Sequence, residues 1–371
     1  MVVLMKQTQV IIILSIIVIS IPSFIFLGLI IANWDVNNNS HIDGETITVI
    51  DMLNRNLTIP KSVNRIVGIE AGALRLITYL NATELVVGVE EIEKTSSVRP
   101  YNLAHPELSD LPTIGPIHGG EPELITIQQP DIIFWTSTTV GAADDLQSQT
   151  GIPVIAINYG NIENDREIFF NALYLMGKIL NKEERANYLV SFINETISDL
   201  NNRTNLISEN NKVISYVGGV NYRGSHGITS TESQYAPFDF INARNVAGNL
   251  STDHAFIDEE QLIEWNPEII FIDAGSYSMV IEDLKNASTL YNTLDAVKNG
   301  ELYCVLPYNH YTANIGTIIA NAYYVGKILY PNQFTDIDPI AQADVIYNEF
   351  VGGNVYQKIT EFFVGYQKIT I

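Results

Sequence analysis

The segment Gly218-Gly219-Val220-Asn221-Tyr222-Arg223-Gly224-Ser225-His226-Gly227 concentrates binding chemistry in ten residues. Its glycines let backbone approach a ligand closely. Tyr222 offers a rigid apolar face with a polar tip, and Arg223 a planar fork suited to carboxylate or catecholate groups. Ser225 and His226 add hydrogen-bonding tips. Similar groups recur in Gly275-Ser276-Tyr277 and Tyr308-Asn309-His310-Tyr311. Earlier in the chain stand Glu70-Ala71-Gly72, Arg99-Pro100-Tyr101, His118-Gly119-Gly120, Thr136-Ser137 and Tyr159. Glu70, Arg99, Tyr101, His118, Tyr159, Tyr222, Arg223, Ser225, His226, Tyr277, Tyr308 and His310 are therefore the candidate ligand-binding residues.

These groups suit binding better than turnover. There is no G-x-S-x-G elbow, H-E-x-x-H helix or P-loop, and Ser225 and His226 are sequence neighbours, which is not how a nucleophile and its base are recognised. An extracytoplasmic hydrolase stays open as an alternative, but no residue is assigned a catalytic role and no cofactor is expected. His118, His226 and His310 leave a second alternative open, direct capture of a zinc-like or manganese ion by neutral imidazole. A metal enclosed in an organic chelate would need only recognition of the chelate's rim.

The elements that must position these loops alternate between strand and helix. Residues 46–50 and 57–59 flank Asn54-Arg55-Asn56 and read as a hairpin. Apolar strands are expected at 65–69, 85–89, 130–135, 152–157, 213–217, 269–272 and 302–306, with helices near 71–80 and 315–329 between them. This is the pattern of βαβ units in a largely parallel sheet, and in such sheets ligands sit beyond the carboxyl ends of the strands. The candidate residues follow those ends. Phe169, Leu173, Met176 and Leu180 repeat at helical spacing. Asn181 with Glu184 resembles a capping box opening a second helix, where Ala186, Val190, Ile193, Ile197 and Leu200 share one face. That helix could reach some 35 Å, enough to bridge two lobes. Residues 123–134 and 260–271 share a pattern: a Glu opening a helical turn, a Pro seven residues on, an acid, then a buried strand. Two copies suggest two lobes of similar build.

Composition bounds the partners. Against 20 Lys+Arg stand 42 Asp+Glu, a formal net charge of −22, which would repel phosphate backbones and argues against nucleic-acid binding. Cys304 is alone, so an intrachain disulfide is excluded; it lies in an apolar run and reads as a small buried hydrophobe. Between Lys6 and Asp35 no residue is charged, and residues 10–31 would span roughly 33 Å as a helix. A secretory signal is the competing reading, but the run is long and lacks a small-residue cleavage pattern. An uncleaved single-pass anchor in the cell membrane is expected, with the remainder outside the cytoplasm. Sequons at Asn56, Asn81, Asn194, Asn202, Asn249 and Asn286 are consistent with export. The expected organisation is anchor or signal at 1–35, spacer at 36–45, first lobe at 46–165, helical segment at 166–210, then second lobe and tail at 211–371.

In order and spacing, the chain resembles the substrate-binding proteins of iron-siderophore, haem and cobalamin importers. The opening hairpin to Pro60, Arg65-Ile66-Val67, Leu85-Val86-Val87-Gly88-Val89, Leu111-Pro112-Thr113-Ile114-Gly115 and the two repeated segments carry the likeness, which covers about residues 46–330. It implies two Rossmann-like α/β lobes joined by one long helix, a metal chelate held in the cleft, and an ABC permease and ATPase as partners. It further implies that Glu123 and Glu260 are the paired acids that dock onto permease arginines. Two fixed anionic points would set orientation and speed encounter.

Overall fold

Asp51 makes the first turn. Its carboxylate accepts from Leu53 N and Arg55 N at 3.0 Å each, and Asn54 takes a left-handed φ of 61°. Strands β1 (Thr46–Ile50) and β2 (Asn56–Pro60) thus pair as the expected antiparallel hairpin. Ala156 N also donates to Asp51, at 3.1 Å, and so ties the hairpin to the first sheet. The computed structural model describes residues 44–95 and 98–371. The anchor expected at 1–35 lies outside the described residues, and none of the described helices is long and apolar enough to cross a membrane.

The first sheet is parallel throughout and comprises β3 (Ile66–Ile69), β4 (Val86–Gly88), β5 (Ile132–Thr136) and β6 (Val154–Ile157) in the order β4-β3-β5-β6. The second half contributes β7 (Ile214–Gly218), β8 (Ser230–Glu232), β9 (Arg244–Asn245), β10 (His254–Phe256), β11 (Ile269–Asp273), β12 (Leu302–Val305) and β13 (Gln367–Lys368). β8 and β10 form a short antiparallel pair. The others make a sheet in the order β13-β12-β11-β7-β9, parallel except for β13. β3, β6 and most of β5 and β7 are buried, as strands covered on both faces must be.

Each sheet turns one face to a shared helical layer and the other to its own smaller core. The shared core runs from Ile59 and Leu76 through Phe169 and Leu189 to Phe271 and Ile318. Val67, Ile114 and Ile133 pack behind the first sheet, and Tyr216, Ile270 and Cys304 behind the second. Cys304 is fully buried, and burial pushes its thiol pKa up. The helix Ile315–Leu329 is buried on nearly every face, which explains its apolar sequence all round.

The long helix spans Glu183–Thr204, 22 residues or about 33 Å. At its start Arg185 Nε donates to Tyr79 O at 2.8 Å, beside the first sheet. At its end Arg203 pairs with Asp336 at 2.7 Å and Thr204 Oγ1 accepts from Asn242 at 3.0 Å, beside the second. Its capping differs from the sequence expectation. Asn181 takes φ 54° and closes the preceding helix, Arg166–Leu180, while the N-cap of the long helix is Lys182, without a side-chain cap. Asn tolerates the left-handed conformation that ends helices, and one residue cannot also adopt the extended geometry of an N-cap. The tail helix Pro339–Val351 packs on Ile315–Leu329 and also reaches the first half, where the Phe350 and Tyr79 rings meet edge-on at 4.9 Å; in the short helix Tyr356–Ile359 that follows, Lys358 Nζ donates to Leu103 O at 2.9 Å.

Candidate functional site

Parallel strands deliver their carboxyl ends to one edge of each sheet, and in this chain those two edges meet. Tyr159, beyond β6, donates from its hydroxyl to Ala313 O at 2.8 Å. Tyr311, beyond β12, donates to Glu90 Oε2 at 2.7 Å, beyond β4. Between the edges lies a cleft of about 550 Å³, lined by Ala71 and His118 from the first half and by residues 221–225 and 309–312 from the second.

The sequence candidates divide by position. His118, Tyr222, Arg223, Ser225 and His310 line the cleft. Glu70 sits at its edge, with a left-handed φ of 74° and its carboxylate bonded to His118 Nδ1. His226 lies just behind: its Nε2 meets Tyr222 O at 2.7 Å and its ring stands edge-on to Phe256. Tyr222 stacks on His254, rings 4.3 Å apart, and Arg223 lies over Tyr222 at 5.5 Å. Tyr277 is half-buried at the start of helix Tyr277–Asn286. Arg99 and Tyr101 are fully buried beneath the cleft: Arg99 pairs with Glu93 at 2.8 Å, and Tyr101 donates to the same carboxylate at 2.9 Å. Tyr159 is likewise buried. Ser225 Oγ donates to Gly275 O at 2.7 Å, so neither Ser225 nor His226 is spent on the other.

Residues not singled out from sequence complete the site. Glu90 is buried, its carboxyl pKa raised by desolvation. Arg75, on the helix Ala73–Tyr79, donates to the carbonyls of His310, Tyr311 and Ala313. Its position three residues past Gly72 was the available signal, because a helix that opens at a strand end aims its first turn at the site. Burial, with Arg99 and Arg75 close by, lowers the His310 pKa to about 4, so this imidazole is neutral at neutral pH.

Across the 308–313 loop lies a smaller chamber of about 240 Å³ with an acidic lining, Glu163, Glu232 and Asp253. Tyr308 borders it and donates to Glu232. Desolvation, opposed by that bond and reinforced by the neighbouring acids, raises the Glu232 pKa to about 8. The folded state therefore holds a proton that the unfolded state has released between pH about 4.5 and about 8. Stability falls as pH rises through that window. Glu232→Gln is expected to flatten the fall, giving a thermal midpoint at pH 8.5 above that of the unaltered chain. Equal slopes for the two proteins between pH 5 and 8.5 would refute this assignment.

Among the described residues no group of three or more His, Cys, Asp or Glu side chains is placed to hold a metal ion. Glu123 and Glu260 are both exposed, in the first turns of helices Pro122–Ile127 and Glu259–Trp265 that lead into the central strands β5 and β11. Neither forms an ion pair among the described residues.

Comparison with known proteins follows the same outline. A family model described as periplasmic binding protein matches residues 66–307. The molybdate-binding protein MolA of Haemophilus influenzae is 24% identical over 325 residues, covering 81% of this chain and 90% of MolA. The uncharacterised ABC transporter substrate-binding lipoprotein YvrC of Bacillus subtilis is 20% identical, covering 78% and 87%. Among solved structures, a periplasmic solute binding protein from Veillonella parvula superposes with a TM-score of 0.68 at 18% identity, covering 85% of this chain and 96% of its own.

Proposed function

The chain belongs to the periplasmic binding protein family, and on that premise we propose that it is the extracytoplasmic solute receptor of an ABC importer. It takes a metal chelate into the cleft between its sheets and delivers it to the permease. The observation that carries this reading is the cleft itself. Its volume of about 550 Å³ lies in the range of organic-ligand sites, about 300–1,000 Å³. Tyr222 and Arg223 supply the stacking face and the anion-pairing fork that a chelate's rim requires. Residues 1–35 would hold the receptor at the outer face of the membrane. Glu123 and Glu260, exposed and without ion-pair partners among the described residues, are the permease-docking acids in this reading.

A second reading has support in the molybdate-binding relative: the ligand is a tetrahedral oxyanion rather than a chelate. Direct capture of zinc or manganese is less well served, since His118 is engaged with Glu70 and His226 with the Tyr222 carbonyl.

Thermal-shift measurement on the full-length chain in detergent separates the three. Ferric hydroxamate, haem, cobalamin, molybdate, zinc and manganese are the probes. A ligand at 100-fold its dissociation constant is expected to add about 2.7 kcal/mol, with a chelate giving the shift. Stabilisation by a bare divalent ion alone would overturn the proposal.

A further inference from the structure

Two buried guanidinium groups lie under the floor of the cleft, and only one of them, that of Arg99, is bonded to a carboxylate. Arg75 is 1% exposed and touches no carboxylate among the described residues. Its Nη2 donates to His310 O at 3.0 Å and Tyr311 O at 2.9 Å, and its Nη1 to Ala313 O at 3.1 Å. Its Nε has no partner among the described residues. Arg99 is also fully buried; Glu93 takes its Nη2, Asn102 takes its Nε, and its Nη1 has no partner among the described residues. Both guanidinium carbons lie close to the Tyr101 ring centroid, at 5.3 and 5.6 Å. One positive charge is thus left buried without a bonded anion among the described residues, and two guanidinium nitrogens are left without an acceptor. A buried charge of this kind is costly unless a counter-charge can reach it.

The floor that separates these groups from the cleft is strained. Tyr311 and Thr312 both adopt left-handed backbone, φ 53° and 63°. For a β-branched residue such as Thr312 this conformation is a true outlier, of the sort that persists only where surrounding contacts impose it. The contacts are identifiable. Three floor carbonyls bind Arg75, the Tyr311 hydroxyl binds Glu90, and Thr312 packs on Gly72, where a Cβ would stand 2.9 Å from Thr312 Cγ2. Neutral carbonyls on a guanidinium are weaker acceptors than an oxyanion, which makes shorter, charge-assisted and often paired bonds.

We propose that Arg75 and Arg99 form a second, deeper anion subsite, closed in this structure by residues 310–313 and opened when an oxyanionic ligand group lifts Tyr311 and Thr312. The proposal rests on the reading of the cleft as the ligand site and deepens it. The ligand group is one with at least two oxygens sharing negative charge, either a carboxylate carried on a chelate or a free tetrahedral oxyanion. On entry it replaces the three carbonyls, gives Arg75 its missing counter-charge and releases the left-handed backbone.

Two floor variants of opposite sign test this. Thr312→Gly removes the left-handed penalty from the closed floor and so favours closure. Tyr311→Phe deletes the bond to Glu90 and so favours opening. Affinity is measured by titration calorimetry on the full-length chain in detergent, with ferric citrate as the carboxylate probe, molybdate as the tetrahedral probe and ferrichrome, a neutral ferric hydroxamate, as a probe without either group. For whichever anion binds, Thr312→Gly is expected to weaken affinity about fivefold and Tyr311→Phe to strengthen it by a similar factor. Shifts of the same sign in both variants, or no shift in either, overturn the subsite. Binding of ferrichrome alone overturns the subsite and leaves the receptor reading standing. Failure of all three probes, together with the chelates and molybdate of the thermal screen, overturns both.

Discussion

Replacing Glu93 with alanine is expected to destabilise the folded chain by about 3–5 kcal/mol, because it leaves Arg99 as a buried, unpaired cation. Glu93 is 3% exposed and Arg99 fully buried. The carboxylate takes the Arg99 Nη2 bond at 2.8 Å, the Tyr101 hydroxyl at 2.9 Å and Asn102 Nδ2 at 3.0 Å. Removing it strands three donors at once, and each buried donor left unsatisfied adds about 1–3 kcal/mol of desolvation penalty. The value is read from the midpoint and slope of urea unfolding. A paired variant, Glu93→Leu with Arg99→Met, is expected to recover most of the loss, since the cost lies in the unpaired charge and not in the missing pair. A Glu93→Ala change below about 1 kcal/mol would mean that water reaches Arg99, contrary to the burial described above.

Reversing both Glu123 and Glu260 to lysine is expected to reduce substrate delivery to the cognate permease on the order of a hundredfold. In the proposed docking role each reversal would exchange an attraction for a repulsion, worth about tenfold or 1.4 kcal/mol per site. Ligand affinity should be unchanged, because neither residue lines the cleft. Both acids lie in the first turn of a helix, where the macrodipole favours negative charge, so reversal also costs about 0.3–1 kcal/mol of local stability. The pair Glu123→Gln and Glu260→Gln limits that side effect and should show an intermediate loss. Uptake into vesicles carrying the importer is the measurement. Uptake undiminished in the double lysine variant would remove these acids from the docking role.

Much of the architecture was legible because its causes are local. The buried strands β3, β5, β6, β11 and β12 stand within a residue or two of their apolar runs, and the helix Ile315–Leu329 coincides with its expected range. An apolar run of four to six residues between polar breaks has few ways to hide except as a covered strand. The hairpin was legible through its turn, and Cys304 through its apolar neighbours. The cap of the long helix was not. Asn181 suits a helix start and a left-handed helix end equally well, and which it becomes depends on where the preceding helix stops.

The site was legible as loops rather than as residues. The strand-end rule selected the loops that carry His118, Tyr222, Arg223 and His310, and these meet in the cleft. The same rule selected Arg99, Tyr101 and Tyr159, which are buried beneath it. Sequence gives the side of the sheet at which a loop emerges, since that follows from strand direction alone. Whether a side chain there faces solvent or core depends on what the other half of the chain lays over it.

From its order of apolar runs and its two repeated segments, the sequence by itself determined an α/β chain with largely parallel sheets; the periplasmic binding kind came from its resemblance to a known family. The α/β pattern follows from periodicity, which neighbouring residues set. Only the tertiary structure decided that Arg75, from a helix near the start, is held by carbonyls more than 230 residues later. It alone decided that Glu90 receives Tyr311 and that the 308–313 loop separates a mixed cleft from an acidic chamber. The reason is physical: desolvation and charge pairing at a buried site are summed over groups brought together by the packing of the two halves, and no local pattern in the chain encodes that sum.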